Sequence, residues 1–468
     1  MNKKKLDLLL GPVLFALITL LLKDLITLPG AQAIGTLGWM IFWWIKRPVN
    51  MAVTGMLPVV VNAIFTMADQ GAVISNYASE MIILIFGSTL LIMTWGPIGL
   101  DRRIALKCLS IIGPSIKSQV LVWMIVGALL SGILPNAVVG SLLAPICVAM
   151  LAAVGQDDVP NSQPATLIFF AIAWGIAVGG MLTPMGGMMN VVAINLIEQY
   201  TGEEVAYISW IIKVTPFVIV ALIALYFQVL RIPNSVKTLD GTKEFFAKSY
   251  KELGNMKYEE KLSLFIFVLS IILALVRPLY EDFAPGLKPA YIFFIFGFLN
   301  FFLLGKDKKE LLTWEVAEQK LMWKLMITFA GGSAIGTLIS KSGAADNIAQ
   351  LLTQLNLHNE LLIIAIFTFV IKMVSETTSS TTAAAVVVPI MITLCTQLDL
   401  NAVPYAMIMV FGFSGVFFLP ISVNAIYVGY GLNPDKLLKH GLAASFTNIF
   451  IAIVMGYALL KFWPFFSL

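Results

Sequence analysis

The chain has 468 residues, 59% of them hydrophobic and only 12% charged, with a mean hydropathy of +0.91. So little polar surface excludes a soluble globule and predicts a multispanning protein whose partner is the lipid bilayer. The net charge of +4 is small and the 30 Lys and Arg gather in a few loops, so nucleic acid is excluded as a partner.

Apolar runs set against basic loops trace a path through the membrane. Lys3, Lys4 and Lys5 keep the N-terminus cytoplasmic, and with no small-residue cleavage site after them the first run stays as a helix. A helix over residues 6–22 goes out and a second over 30–45 returns to Lys46 and Arg47, with Trp43 and Trp44 predicting an interfacial belt. A third ends near the acidic stretch Asp69 to Glu80, and residues 81–98 come back to Asp101, Arg102 and Arg103. Residues 101–112 mix apolar and charged positions, as a helix lying on the cytoplasmic interface does. Next come two arms, 119–134 and 138–153, each shorter than the ~20 residues a span needs. They meet at the polar island Leu134-Pro135-Asn136-Ala137 and predict a hairpin that enters from inside and turns back. Residues 165–182 cross outward with a break from Thr183 to Asn190, and 210–230 return. Residues 231–261, with seven basic and five acidic side chains, read as a cytoplasmic linker.

Beyond the linker, residues 262–276 go out, 289–304 come back and 323–340 go out again, followed by a short outer-surface segment at 345–355. A second hairpin near 358–397 enters from outside with Ser379-Ser380-Thr381-Thr382 at its tip. Residues 402–418 cross inward with a break from Leu419 to Asn424, and 441–462 cross out. The predicted fold is thus an all-α integral membrane protein with eleven transmembrane helices, an inverted-topology repeat and two opposed re-entrant hairpins. The chain divides into an N-terminal helix (1–29), a first repeat (30–230, hairpin near 119–153), the linker, and a second repeat (262–468). Pro145-Ile146 and Pro389-Ile390 match across 244 residues (389 minus 145). Paired interrupted segments in two opposed halves are the plan of a secondary transporter, with its binding site where the interruptions meet.

The two islands and the breaks that follow them carry a family resemblance. Pro135-Asn136-Ala137 and Ser379-Ser380-Thr381 stand where the divalent anion:sodium symporters, the dicarboxylate and citrate carriers, have a Ser-Asn-Thr motif at each hairpin tip. Gly186-Gly187-Met188-Met189-Asn190 resembles that family's Gly-Thr-Pro-Pro-Asn break with methionines for both prolines, and Leu419-Pro420-Ile421-Ser422-Val423-Asn424 is a looser second copy. Gly99 to Leu106 and Glu376 are also similar to the family's pattern. The resemblance implies a carrier of a small di- or tricarboxylate, a homodimer in the cell (inner) membrane, with Na+ as coupling ion and no other cofactor. Sulfate or a monocarboxylate is the alternative cargo, and anion exchange the alternative coupling.

For a dianion, helix N-termini at tips and breaks supply N–H groups and partial positive charge. Asn136, Ser379, Ser380 and Thr381 are candidate donors from the tips, and Asn190 and Asn424 either reach the ligand or hold the broken backbone. By resemblance, a first sodium site would involve Ser131, Asn136 and Gly186, and a second Ser375, Thr378, Ser380 and Ser422. Isolated hydroxyls of this kind more often bond to their own helix, whereas the cluster from Ser375 to Thr382 argues for a site. Pro135 and Ala137 lack the hydroxyls, and Pro135 also the N–H, so the first half-site is the poorer one. Lys372 lies inside the apolar run from Ile363 to Val374, and such charges are expensive and usually functional. Two readings stay open: it stands in for a coupling cation, or it pairs with Glu376 one turn on.

Other chemistries find little support. Cys108, Cys147 and Cys395 are scattered and read as buried bystanders, and His358 and His440 fall beside membrane edges. The methionines between Met181 and Met189 are packing residues without Cys or His to make a soft-metal site. There is no zinc-protease or nucleophile-elbow motif and no pair of intramembrane Asp, so an enzyme is not expected. A channel fits opposed hairpins less well than alternating access does.

Overall fold

The computed structural model describes residues 3–344, 359–377, 380–398, 400–420 and 423–467, and the described residues form helices, two isolated β-bridges and no strand. In chain order the first part holds α1 (Lys3–Leu22), α2 (Leu28–Lys46), α3 (Met51–Gly55), α4 (Leu57–Phe65), α5 (Gln70–Ser75), α6 (Glu80–Met93) and α7 (Trp95–Ile98). Then come α8 (Leu100–Leu109), α9 (Ile116–Ser131), α10 (Asn136–Ala153), α11 (Gln163–Gly179), α12 (Met188–Thr201) and α13 (Tyr207–Leu230). After α14 (Thr242–Glu252) follow α15 (Tyr258–Leu275), α16 (Pro289–Leu299), α17 (Trp314–Lys320) and α18 (Trp323–Lys341). The chain closes with α19 (Glu360–Thr377), α20 (Ser380–Gln397), α21 (Ala402–Gly412), α22 (Val423–Gly429) and α23 (Pro434–Phe462). The surface segment predicted at 345–355 lies outside the described residues, as does His358.

Polar residues punctuate these apolar runs. Ser115, Ser162, Asn401 and Asn433 cap the N-termini of α9, α11, α21 and α23 with side-chain oxygens on backbone N–H groups, a contact that stabilises a helix by about 1 kcal/mol. Among the described residues, five stretches are long and apolar enough to cross a bilayer: Lys4–Leu22, Gln70–Ile98, Asn136–Ala153, Tyr207–Leu230 and Pro434–Phe462. The two arms of the first predicted hairpin therefore differ, since α10 with 18 residues reaches crossing length and α9 with 16 does not. Leu6, Leu9, Val13, Leu17 and Leu20 on α1 are exposed, the apolar surface a lipid-facing helix presents, while α1 packs against α2.

The interior is built on α11 and α21. Every residue of α11 from Pro164 to Gly179 is buried, as is all of α21 except Val403. A helix apolar all round belongs in a protein core. Phe411 of α21 stacks on Phe217 of α13 with ring centroids 4.3 Å apart, and Trp174 of α11 meets Phe417 edge-on at 6.2 Å. Gly415, just past α21, has φ +60°, and a Cβ there would lie 2.3 Å from the Ala177 Cβ, so only glycine lets this stretch close on α11.

Two expectations are corrected. Trp43 and Trp44 are not an exposed belt: they are 9% and 1% exposed, and their indoles donate to Asp7 O (3.2 Å) and Met51 O (3.3 Å). Protein covers Trp43 because α1 folds back onto α2, a contact no local pattern announces, and Trp44 is tied to Met51 at the start of α3. Cys108 is half-buried rather than buried. Residues 231–261, expected to be a linker, are tied to the helices beside them. They contain α14, whose Phe246 packs against Trp123, and Ile116 N donates to Lys237 O while Leu239 N donates to Pro114 O.

The same strap is held by charge. Arg103 of α8 donates to Glu260 at 2.8 Å and to the carbonyls of Leu253 and Gly254, and both charged side chains are buried. Removing one partner of a buried pair strands the other charge, so Arg103→Met is expected to cost about 3 kcal/mol. The measurement is the thermal denaturation midpoint in detergent: a clear fall is expected, and an unchanged midpoint would contradict the strap.

Candidate functional site

Two tips and two breaks converge. At the first tip α9 ends on Ser131 and α10 begins on Asn136, with Pro135 as the residue before the helix, where its missing N–H costs nothing. Ser131 Oγ donates to Asn136 Oδ1 at 2.6 Å, and the Asn136 side-chain NH2 makes no hydrogen bond among the described residues. At the second tip, Ser375 Oγ lies 2.9 Å from Ser380 Oγ and donates to Phe413 O at 3.3 Å. The two pairs correspond at the same interval as the proline pair: 375 minus 131 and 380 minus 136 are both 244. Thr378, Ser379 and Ser422 lie outside the described residues.

Each break is held by one asparagine. Asn190 donates through Nδ2 to Gly180 O and Thr183 O, both at 2.8 Å, and Asn424 to Val416 O and Leu419 O, both at 3.0 Å. Both residues are buried, so of their two possible roles the geometry gives their amide N–H groups to the backbone rather than to a ligand. Thr183 ties break to tip, donating to Gly132 O at 2.5 Å.

Oxygen atoms crowd the first break. A Cβ on Gly186 would fall 2.5 Å from Ser131 O and 2.8 Å from Gly180 O, and one on Gly180 would fall 2.6 Å from Asn136 Oδ1. Asn190 Oδ1 is buried there without a hydrogen-bond partner. Carbonyl and amide oxygens without a carboxylate suit a hard monovalent cation.

The second break is organised by charge. Lys372 and Glu376 are wholly buried and paired at 3.2 Å. Lys372 Nζ also donates to Ser414 O (3.2 Å) and Gly415 O (2.9 Å) and sits 4.1 Å from the Phe417 ring centroid. Glu376 accepts from Phe417 N, Phe418 N and Ser445 Oγ. The ammonium thus satisfies carbonyls beyond the end of α21, and the carboxylate satisfies the N–H groups that follow.

A cavity of about 640 Å³ joins these parts. Of the predicted residues, Asn136, Gly186, Ser380 and Thr381 line it, together with Pro135 and Ala137 of the first tip and Gly415 and Val416 of the second break. Ser131, Asn190, Ser375, Asn424, Lys372 and Glu376 are not part of its lining. Sequence reasoning missed the wall supplied by α18, with Lys324, Thr328 and Phe329, and the methionines Met51 and Met322. Lys324 gave a faint signal only, since a lysine at a helix start reads equally as a topology marker. The described residues contain no cluster of His, Cys, Asp or Glu fit for a bound metal.

Known proteins resemble this chain along most of its length. The sodium-dependent dicarboxylate transporter SdcS of Staphylococcus saprophyticus is 27% identical, covering 97% of this chain and 90% of its own. SdcS of Staphylococcus aureus strain NCTC 8325 is also 27% identical, over 96% of this chain and 90% of its own. The fold is similar to the Alcanivorax borkumensis YdaH transporter (TM-score 0.57, 14% identity, 84% of this chain and 88% of that one). It is also similar to Neisseria gonorrhoeae MtrF (TM-score 0.53, 12% identity, 89% and 96%). The model of the sodium:sulfate symporter transmembrane region matches residues 3–467, and the chain accordingly belongs to this family, the divalent anion:sodium symporters, as a multi-pass membrane transporter and not an enzyme.

Proposed function

We propose that the chain is a secondary carrier of small di- or tricarboxylates in the cell membrane, N-terminus cytoplasmic and assembled as a homodimer. It works by alternating access, with sodium as the coupling ion. The observation that carries this reading is the single cavity lined by both tips and the second break, with Gly186 and Gly187 of the first. The names of the SdcS relatives support the cargo and the ion.

In this reading the two halves are inverted repeats, with α9–α10 and α19–α20 as opposed re-entrant hairpins among eleven crossings. The shared interval of 244 residues across two pairs of tip positions and the proline pair of the helices that follow supports the repeat. One carboxylate accepts from Asn136, Ser380 and Thr381 and from the N-termini of α10 and α20, where partial positive charge adds no buried cation. Sodium binds among the oxygens of Ser131, Gly180 and Asn136 at the first break. The fit is by donor type, oxygen only and neutral, so the bound cation offsets part of the anion's charge.

A second reading, exchange of one anion for another, is favoured by Lys372, whose ammonium already rests on two carbonyl oxygens at the second break. Under it the second break carries a tethered positive charge and needs no ion there.

Uptake of labelled succinate into proteoliposomes tests the proposal. Accumulation driven by an inward sodium gradient and absent with potassium is expected, whereas uptake that needs only internal dicarboxylate supports exchange, and sulfate uptake that succinate fails to inhibit contradicts the cargo. Lys372 is tested as a pair. Lys372→Met alone leaves Glu376 buried and unpaired, at a cost of about 3–5 kcal/mol. Lys372→Met with Glu376→Gln is expected to recover most of that stability and to show a steeper sodium dependence of uptake than the native chain. An unchanged dependence would restrict Lys372 to holding the break.

A further inference from the structure

The 640 Å³ cavity has one charged lining residue among those described, Lys324, and no part of the site so far accounts for it. It lies in the first turn of α18, and its ammonium makes no ion pair or hydrogen bond among the described residues. Lys324 is exposed, at the edge of the cavity, whereas the wholly buried Lys372 has its charge fully met by Glu376 and two carbonyls. The polar neighbour of Lys324 on the same helix, Thr328, spends its hydroxyl proton on Lys324 O at 2.7 Å, so α18 offers the cavity one strong donor, the ammonium itself.

The rest of the lining sharpens what this cation would meet. The tips concentrate their donors: Asn136, Ser380 and Thr381 contribute, while Pro135 and Ala137 of the first tip offer neither hydroxyl nor, at the proline, an N–H. Away from them the wall is thioether and ring, from Met51, Met185, Met189, Met322 and Phe329. A wall of that kind takes methylene groups at little cost, but would strip water from a compact, wholly polar anion without replacing its hydrogen bonds. The volume is within the range of pockets that hold whole organic ligands and well beyond a single carboxylate.

We propose that Lys324 holds the second carboxylate of the cargo, and that it selects dicarboxylates with a methylene spine over monocarboxylates and sulfate. The first carboxylate sits at the tips, the spine crosses the methionines and Phe329, and the ammonium closes the far end with a charge-assisted hydrogen bond. This deepens the reading of the chain as a carboxylate carrier and rests on it. It also gives the donor-poor first tip a counterpart: α18 adds a strong donor where Pro135 and Ala137 offer none.

The test uses the full chain purified in detergent, with ligand-induced shifts of the melting midpoint giving apparent affinities for succinate, butyrate and sulfate, and uptake in proteoliposomes as a second readout. The native chain should bind succinate at least tenfold more tightly than butyrate or sulfate. Lys324→Met should lose roughly tenfold in succinate affinity, the scale of one charge-assisted bond. It should bind butyrate as before, so that discrimination between the two collapses, and Lys324→Arg should restore it. A Lys324→Met chain that keeps native succinate affinity, or that loses succinate and butyrate alike, overturns the role of Lys324 and leaves the carrier reading standing. A native chain that binds and transports none of the three overturns both.

Discussion

A helix that stops inside an apolar interior strands carbonyl and N–H groups that water cannot reach, at a cost of about 1–3 kcal/mol for each left unpaired. Everything at the centre of this protein follows from how that constraint is met. Asn190 and Asn424 each bridge two carbonyls three residues apart across a break, and Thr183 ties the first break to the tip beside it. Once the side chains behind the wall have met these internal demands, the residues at the wall keep donors to spare. Asn136 illustrates the division: its oxygen is taken by Ser131 and its NH2 group is left over.

The two halves meet the constraint with different chemistry. Positions 128 and 132 of the first half are Ala and Gly, and 244 residues later stand Lys372 and Glu376. A neutral backbone seam in one half is thus replaced by a buried ion pair in the other, which satisfies carbonyls with its ammonium and N–H groups with its carboxylate. Such a pair is worth little as bare stabilisation, since desolvation offsets its attraction, and its value lies in fixing a specific arrangement of backbone. The poorer first tip and the charged second break are therefore two sides of one asymmetry.

Much of this was legible because it is local. The apolar helices, the polar islands and the interval of 244 residues are patterns of the chain, and Ser131 with Asn136, or Ser375 with Ser380, lie five residues apart. The pairing of Lys372 with Glu376 follows from helical spacing. What escaped depends on contacts between distant segments. Trp43 and Trp44 carry the composition of an interfacial belt, yet α1 covers Trp43 and the Trp44 indole is tied to Met51. The charges of residues 231–261 announce a solvated linker, but not that Arg103 and Trp123 would hold it down. Lys324 reaches the cavity only because α18 packs beside α20, and nothing within a few residues of it could have said so.

The central claim is that one anion is held between the two tips. It is tested most directly with single cysteines at Ala137 and at Thr381, which line the same cavity from the first and second tip, in a chain whose partly exposed Cys108 is serine. The rate of alkylation by a charged thiol reagent would be followed with and without succinate. The account predicts that succinate slows labelling at both positions over the same concentration range. Protection at one tip with free labelling at the other, or at neither, would contradict it.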